Sequence, residues 1–142
     1  MGNYSFTDHT ADIAVEIKAE SCEELFISAA FALKECVFQK YKGNNKSEFK
    51  ISLQSGSLED LLIIFLNEIN YFFITKKFIF NSVKSLSISS ENNIIMLEVI
   101  LLGEQFSSGK HKFVNEIKAV TYHNAAIEKK DNLYSVKLVI DI

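Results

Sequence analysis

Two segments of the chain carry the same kind of helix start, and they constrain the fold more than anything else in it. Ser21 stands three residues before Glu24, and Ser57 three residues before Asp60. In that spacing the serine oxygen accepts from a first-turn amide and the acid reaches back towards the cap. Behind Ser21, the residues Cys22, Leu25, Phe26, Ala29, Ala30, Leu33 and Val37 recur at helical spacing, which predicts a helix to about Phe38. Behind Ser57, Leu58, Leu61, Leu62, Phe65, Leu66, Ile69, Phe72 and Phe73 form one stripe. Ile63 and Ile64 widen it, so the apolar run from Leu58 to Phe80 reads as a helix buried on more than one side.

The remainder alternates as strands do. Ile13, Val15 and Ile17 face away from Asp12, Ala14, Glu16 and Lys18; Phe49, Ile51 and Leu53 face away from Lys50, Ser52 and Gln54. Val83–Ser90 alternates loosely, Ile94–Leu102 is apolar enough for a central strand, and Val120–Glu128 reads as one further strand. At the end, Tyr134, Val136, Leu138, Ile140 and Ile142 alternate with Ser135, Lys137, Val139 and Asp141. Polar stretches at Lys40–Ser47 and Glu104–Lys112 read as loops, the second with Gly103 and Gly109 as breakers. The expected architecture is α+β: two amphipathic helices packed on a mostly antiparallel β-sheet, in one domain over residues 1–142.

Composition narrows the function. Hydrophobic residues make up 48% of the 142 and charged residues 23%, ample for one core. All 15 cationic residues are lysine, and the net charge is −3. Without arginine the chain lacks the bidentate readers of phosphate and guanine, so direct nucleic-acid binding is not expected and an arginine finger is impossible. The start, MGNYSFTDHTAD, has neither the basic nor the apolar part of a secretory signal. Glu59, Asp60, Glu68, Lys76 and Lys77 break the Leu58–Phe80 run, so it is not a membrane span. Cys22 and Cys36 fall on one predicted helix, 14 residues and hence roughly 21 Å apart, too far for a disulfide. Reduced thiols fit a cytoplasmic protein.

The phosphate-binding loop, the dinucleotide glycines, the nucleophile elbow, paired cysteines and the zinc-protease helix motif are all absent. Three segments hold candidate chemistry. Asp8-His9-Thr10-Ala11-Asp12 offers two carboxylates and an imidazole, or simply a turn before a strand. Lys118-Ala119-Val120-Thr121-Tyr122-His123 places Thr121 and His123 on one strand face; it reads either as a phosphate- or proton-handling set or as an ordinary amphipathic strand. The last residues, Asp141-Ile142, put a side-chain carboxylate beside an α-carboxylate if the chain ends there.

Asp12 opens its strand and Asp141 closes its own, each off the apolar face. If those strands are antiparallel neighbours, both carboxylates meet at one end of the sheet. Two carboxylates about 5 Å apart repel by roughly 3 kcal/mol at an effective dielectric of about 20. A hard divalent cation (Ca²⁺, Mg²⁺ or Mn²⁺) removes that cost, whereas zinc lacks its usual ligand spacing. His9 would then be a secondary partner.

At these segments the chain resembles the archease family. The matching residues are His9-Thr10-Ala11-Asp12-Ile13, Lys118-Ala119-Val120-Thr121-Tyr122-His123 and Asp141-Ile142. The helix starts at Ser21 and Ser57, and Leu66-Asn67-Glu68, fit as well. Ala14 departs from the glycine usual in the family. The resemblance implies a cytoplasmic, non-catalytic α+β protein that activates the GTP-dependent tRNA-splicing RNA ligase of the RtcB type, promoting its guanylylation and multiple turnover. It also implies a divalent-cation site at Asp12, Asp141 and Ile142, with His9, Lys118, Thr121 and His123 as supporting residues. Two other readings remain open: a chaperone-like module for RNA-modifying enzymes, and a small phosphoesterase in which Asp12, Asp141 and His9 activate water.

Overall fold

The computed structural model describes residues 2–8, 12–122 and 126–142. Both helices begin where the caps place them. Helix α1 spans Cys22–Val37, with the Ser21 side chain accepting from the Glu24 amide at 3.1 Å. Helix α2 spans Leu58–Lys76, with Ser57 accepting from the Asp60 amide at 3.1 Å. Acids fill the first turn of each helix and a lysine the last, as the helix dipole favours.

The Leu58–Phe80 run is not one helix. Lys77 takes a left-handed conformation (φ 55°), its amide bonds back to the α2 carbonyls, and Phe78 opens a strand. The three residues after the cap are buried as strand residues, which is why hydropathy alone does not show the break. Nor is α2 enclosed all round: Leu61, Leu62, Phe65 and Leu66 are buried, while Ile64 is 40% exposed.

The strands are β1 (Asn3–Asp8), β2 (Asp12–Ala19), β3 (Ser47–Ser55), β4 (Phe78–Glu91), β5 (Ile94–Gln105), β6 (Ala119–Tyr122), β7 (Glu128–Lys130) and β8 (Leu133–Asp141). They form two antiparallel sheets rather than the expected one. The first runs β1-β2-β8-β6, with β7 also on β8; the second runs β3-β5-β4, with Ile94–Leu102 in the centre as its hydropathy predicts. Two hairpins are closed by two-residue turns with both residues at positive φ, Asn92-Asn93 and Asp131-Asn132. Such mirror-image turns match strand twist, and Asn and Asp tolerate them. In β5, Gly103 lies so close to β4 that a Cβ would sit 2.0 Å from the Ile79 carbonyl oxygen.

Within the predicted Val120–Glu128 strand the described strand residues belong to two strands, β6 and β7, and residues 123–125 lie outside the described residues. Tyr122 pairs with Leu138 and Glu128 with Ser135, so six residues on one side pass three on the other. A continuous ladder cannot absorb that surplus; β6 and β7 instead lie end to end along one edge of β8.

Both helices pack on both sheets. Phe26 of α1 and Phe65 of α2 stack at 6.0 Å between ring centres, over Val15, Ile17, Leu138 and Ile140 from the first sheet and Leu97, Val99 and Leu101 from the second. Among the described residues, no helix is long and apolar enough to cross a membrane. Cys22 and Cys36 are free thiols, both on α1, and burial raises both; Cys36 is pushed to about 12, with Glu35 adding to the effect.

Candidate functional site

Strands β2 and β8 are antiparallel neighbours, and Asp12 pairs directly with Asp141. Val15, Ile17 and Ala19 face the core from β2; Val136, Leu138 and Ile140 face it from β8. Strand alternation therefore turns Asp12 and Asp141 to the opposite face, in one line of the sheet. Directly opposed residues bring their Cβ atoms to about 4.5–5.5 Å. Further along that face Glu16 opposes Lys137 and forms an ion pair with Lys18 at 3.4 Å. Opposite charges pair there, whereas like charges meet at Asp12 and Asp141.

The third strand completes the corner. Ala119 of β6 pairs with Asp141 from the other side, and the Lys118 amide donates to the Asp141 carbonyl at 2.8 Å. Asp141 thus sits between two strands, with its side chain exposed and its backbone held from both sides. Ile142 packs its side chain against the core, fixing the backbone that follows Asp141. Exposure softens the repulsion: at a water-like dielectric it falls to about 1 kcal/mol.

Strand β6 is held at the sheet edge by a side chain of α2. The Val120 amide donates to Asn67 Oδ1 at 2.9 Å, and Asn67 Nδ2 donates to the Val120 carbonyl at 3.1 Å. One carboxamide therefore stands in for a neighbouring strand. Asn70 repeats half of this device on the Ile117 carbonyl, at 3.0 Å. Asn67 and Asn70 interrupt the apolar stripe of α2, and that interruption is their visible signal in the sequence.

Of the other predicted residues, Thr121 is exposed and lines an open groove of about 480 Å³ with Asp60, Ile63 and Ile64 of α2. Lys118 is exposed and joins the corner through its backbone. His9 and His123 lie outside the described residues. Among the described residues, no three His, Cys, Asp or Glu side chains converge on one point. Asp12 and Asp141 themselves offer carboxylate oxygens, the donor type that suits Ca²⁺, Mg²⁺ or Mn²⁺.

A second polar centre was not foreseen, because both its loops read as surface. Glu104 is 5% exposed and His111 2%. Glu104 Oε1 accepts from His111 Nε2 at 2.7 Å and pairs with Lys110 Nζ at 2.6 Å; Oε2 accepts from Asn81 Nδ2 at 2.8 Å and from the Asn44 amide. The Ser107 amide donates to His111 Nδ1 at 2.8 Å, which leaves the ring proton on Nε2 for Glu104. Burial alone would raise the Glu104 carboxyl; its hydrogen bonds from Lys110, Asn44, His111 and Asn81 outweigh that and bring it down to about 2. Lys34 donates to Asn81 Oδ1 at 2.7 Å, and burial lowers its ammonium to about 8 against the opposing pull of Glu104. Donors and acceptors here satisfy one another, so the cluster clamps loop 39–46 and loop 106–112 to the second sheet.

Comparison with known proteins decides the family. The model of the Archease protein family (MTH1598/TM1083) matches residues 4–142. The chain belongs to the archease family. It is 32% identical to the protein archease of Methanosarcina mazei over 139 residues, covering 98% of this chain and 95% of that one. It is also 32% identical to the protein archease of Sulfolobus acidocaldarius over 142 residues, covering 100% of both. Among solved structures, the solution structure of Methanobacterium thermoautotrophicum protein 1598 superposes with TM-score 0.78 at 25% identity, covering 98% of each chain. The crystal structure of an archease from Thermotoga maritima, described as a possible chaperone, superposes with TM-score 0.59 at 26% identity, covering 96% of this chain and 94% of that one. The α+β architecture of this chain is thus that of its structural neighbours.

Proposed function

We propose that this protein is an accessory activator of the GTP-dependent tRNA-splicing RNA ligase of the RtcB type, and that it acts through protein contact as a non-catalytic cytoplasmic partner. In this reading Asp12, Asp141 and the α-carboxylate of a terminal Ile142 hold one divalent cation, Ca²⁺, Mg²⁺ or Mn²⁺. His9, Lys118, Thr121 and His123 support the site.

The observation that carries the reading is the direct pairing of Asp12 with Asp141 in a member of the archease family. Like charges opposed on a sheet are destabilising on their own. A cation between them turns that cost into a binding site. What the corner offers among the described residues is a pair of carboxylates, which supports a binding role in this reading. Among the described residues the strongly perturbed groups lie elsewhere: Glu104, Lys34 and Tyr41 at the other cluster, and Tyr4 and Cys36 beside Glu35.

The description of the Thermotoga relative as a possible chaperone favours a second reading, general stabilisation of RNA-modifying enzymes. One experiment separates the readings. The ligase is assayed for guanylylation and repeated turnover with and without the protein, beside a heat-aggregation assay of the ligase and a phosphoester hydrolysis assay of the protein alone. Restored turnover at a temperature where the ligase is stable supports activation. Protection from aggregation with no change in turnover supports the chaperone reading. Hydrolysis lost in Asp12→Asn supports a phosphoesterase and overturns the proposal.

A further inference from the structure

A second surface lies along the chain from the aspartate corner. The α2 carboxyl end, loop 106–114 and the end of α1 meet there. The Phe106 amide donates to the Lys77 carbonyl at 2.7 Å, the Val114 amide to the Val37 carbonyl at 2.7 Å, and the Gln39 amide to the Lys112 carbonyl at 2.9 Å. Phe113 sits at the centre with ring centroids 5.4 Å from Phe73, 5.5 Å from Phe106 and 5.4 Å from Phe38. Despite these contacts Phe113 is 50% exposed, and the neighbouring Val114 is 54% exposed.

The rim is basic in an acidic protein. Lys76, Lys77 and Lys112 are exposed around these rings, and Lys77 Nζ lies 5.7 Å from the Phe73 ring centre. Residues 73–77 and 105–114 include no acid, although the whole chain carries a net −3. Of the acids flanking the 105–114 segment, Glu104 is buried and already matched by Lys110, while Glu116, two residues past Val114, is exposed, so the lysines outnumber the acids here by three to one. The backbone here is held by the Glu104–His111 cluster, because His111 lies between Lys110 and Lys112 and stacks on Phe106 at 5.7 Å. The surface is therefore preorganised.

Its chemistry selects the occupant. A second copy laid symmetrically on this face would bring lysines against lysines. Single-stranded nucleic acid needs free ring faces on which bases stack. Phe113 stacks on Phe38 at 29° and leans on Phe106 at 41°, so its faces are engaged within the protein. What fits is a polypeptide segment with carboxylates for the lysines and an apolar side chain to pack beside Phe113 and Val114. Charge complementarity of this kind steers encounter, and a central apolar anchor carries most of the affinity.

We propose that this lysine-rimmed phenylalanine face is the docking surface for an acidic, apolar-anchored segment of the ligase partner, a proposal that rests on the activator reading above. The chain links it to the aspartate corner: Lys118, four residues past Val114, donates its amide to the Asp141 carbonyl at 2.8 Å.

The test is ligase binding by calorimetry at low and high salt, using wild-type protein and three variants. These are Phe113→Ser, Val114→Asp and the double substitution Lys76→Gln with Lys112→Gln, each first checked for a cooperative melt. Val114→Asp covers the case in which Phe113→Ser fails to fold. The expected result is affinity weakened on the order of tenfold by either apolar substitution. The lysine substitutions should weaken binding at low salt and flatten its salt dependence. Wild-type binding with all variants within about twofold overturns the docking surface and leaves the activator reading standing. No binding by wild type overturns the activator reading, and this proposal with it. Binding of a uridine oligonucleotide that is lost in the same variants overturns the assignment to a protein partner.

Discussion

Glu104→Gln asks how much of the fold depends on one buried carboxylate. The two oxygens of Glu104 take four donors, from His111, Lys110, Asn81 and Asn44. A carboxyl held at about 2 instead of its ordinary 4.5 is worth at most about 3 kcal/mol at neutral pH. Lys110 is 36% exposed, so water screens part of this and leaves about 1–2 kcal/mol. Glutamine adds a second cost. Its amide nitrogen must face either Lys110 and His111 or Asn44 and Asn81, donor against donor, at about 1–3 kcal/mol. The expected loss is about 2–5 kcal/mol by urea unfolding at neutral pH. The sign of the pH dependence follows from the lowered carboxyl. Its stabilisation is fully present above 4.5 and is lost as the pH falls towards about 2, so the difference between wild type and variant should narrow across that window. A difference below about 0.5 kcal/mol at neutral pH would refute the reasoning, and so would a difference that holds constant down to acid.

Phe65→Ala should cost about 3–5 kcal/mol in the same assay, since Phe65 is fully buried against Phe26 between the helices. Asn67→Ala should cost about 1–3 kcal/mol by releasing both backbone groups of Val120, and hydrogen exchange should show β6 loosened while β2 stays protected. Cys36, with its thiol raised to about 12 and buried, should react with a thiol reagent only as fast as the protein unfolds; rapid labelling under native conditions would contradict the burial of α1.

Local rules made the helices legible. Ser21 and Ser57 act as caps whatever the tertiary context, and the stripes behind them decide which face is buried. The meeting of Asp12 with Asp141 was legible as a conditional, because alternation gives the face and only the pairing of β2 with β8 was missing. Strand β1 was not legible: it lies at a sheet edge, and Phe6 is 42% exposed, so it shows no buried alternation. The end of α2 was hidden because Lys77 adopts a conformation usually left to glycine, in the middle of an apolar run. The division into two sheets depends on which strands pair, and periodicity does not encode that. The Glu104 cluster draws Asn44, Asn81, Glu104 and His111 from distant parts of the chain. Its one local trace is a histidine and an acid in a stretch that reads as loop.

The central claim is that Asp12 and Asp141 share a cation on which ligase activation depends. Titrating Ca²⁺, Mg²⁺ and Mn²⁺ into wild type, Asp12→Asn and Asp141→Asn, with ligase turnover measured on the same samples, tests it most directly. A cation bound only by the folded state should stabilise wild type by about 2.7 kcal/mol at a hundredfold excess over Kd. Each single variant should lose that rise in Tm together with ligase activation, and the double variant should lose little more, because both side chains act through one ion. Unchanged cation affinity in both single variants would remove the site, and lost affinity with full activation would deny the cation its role.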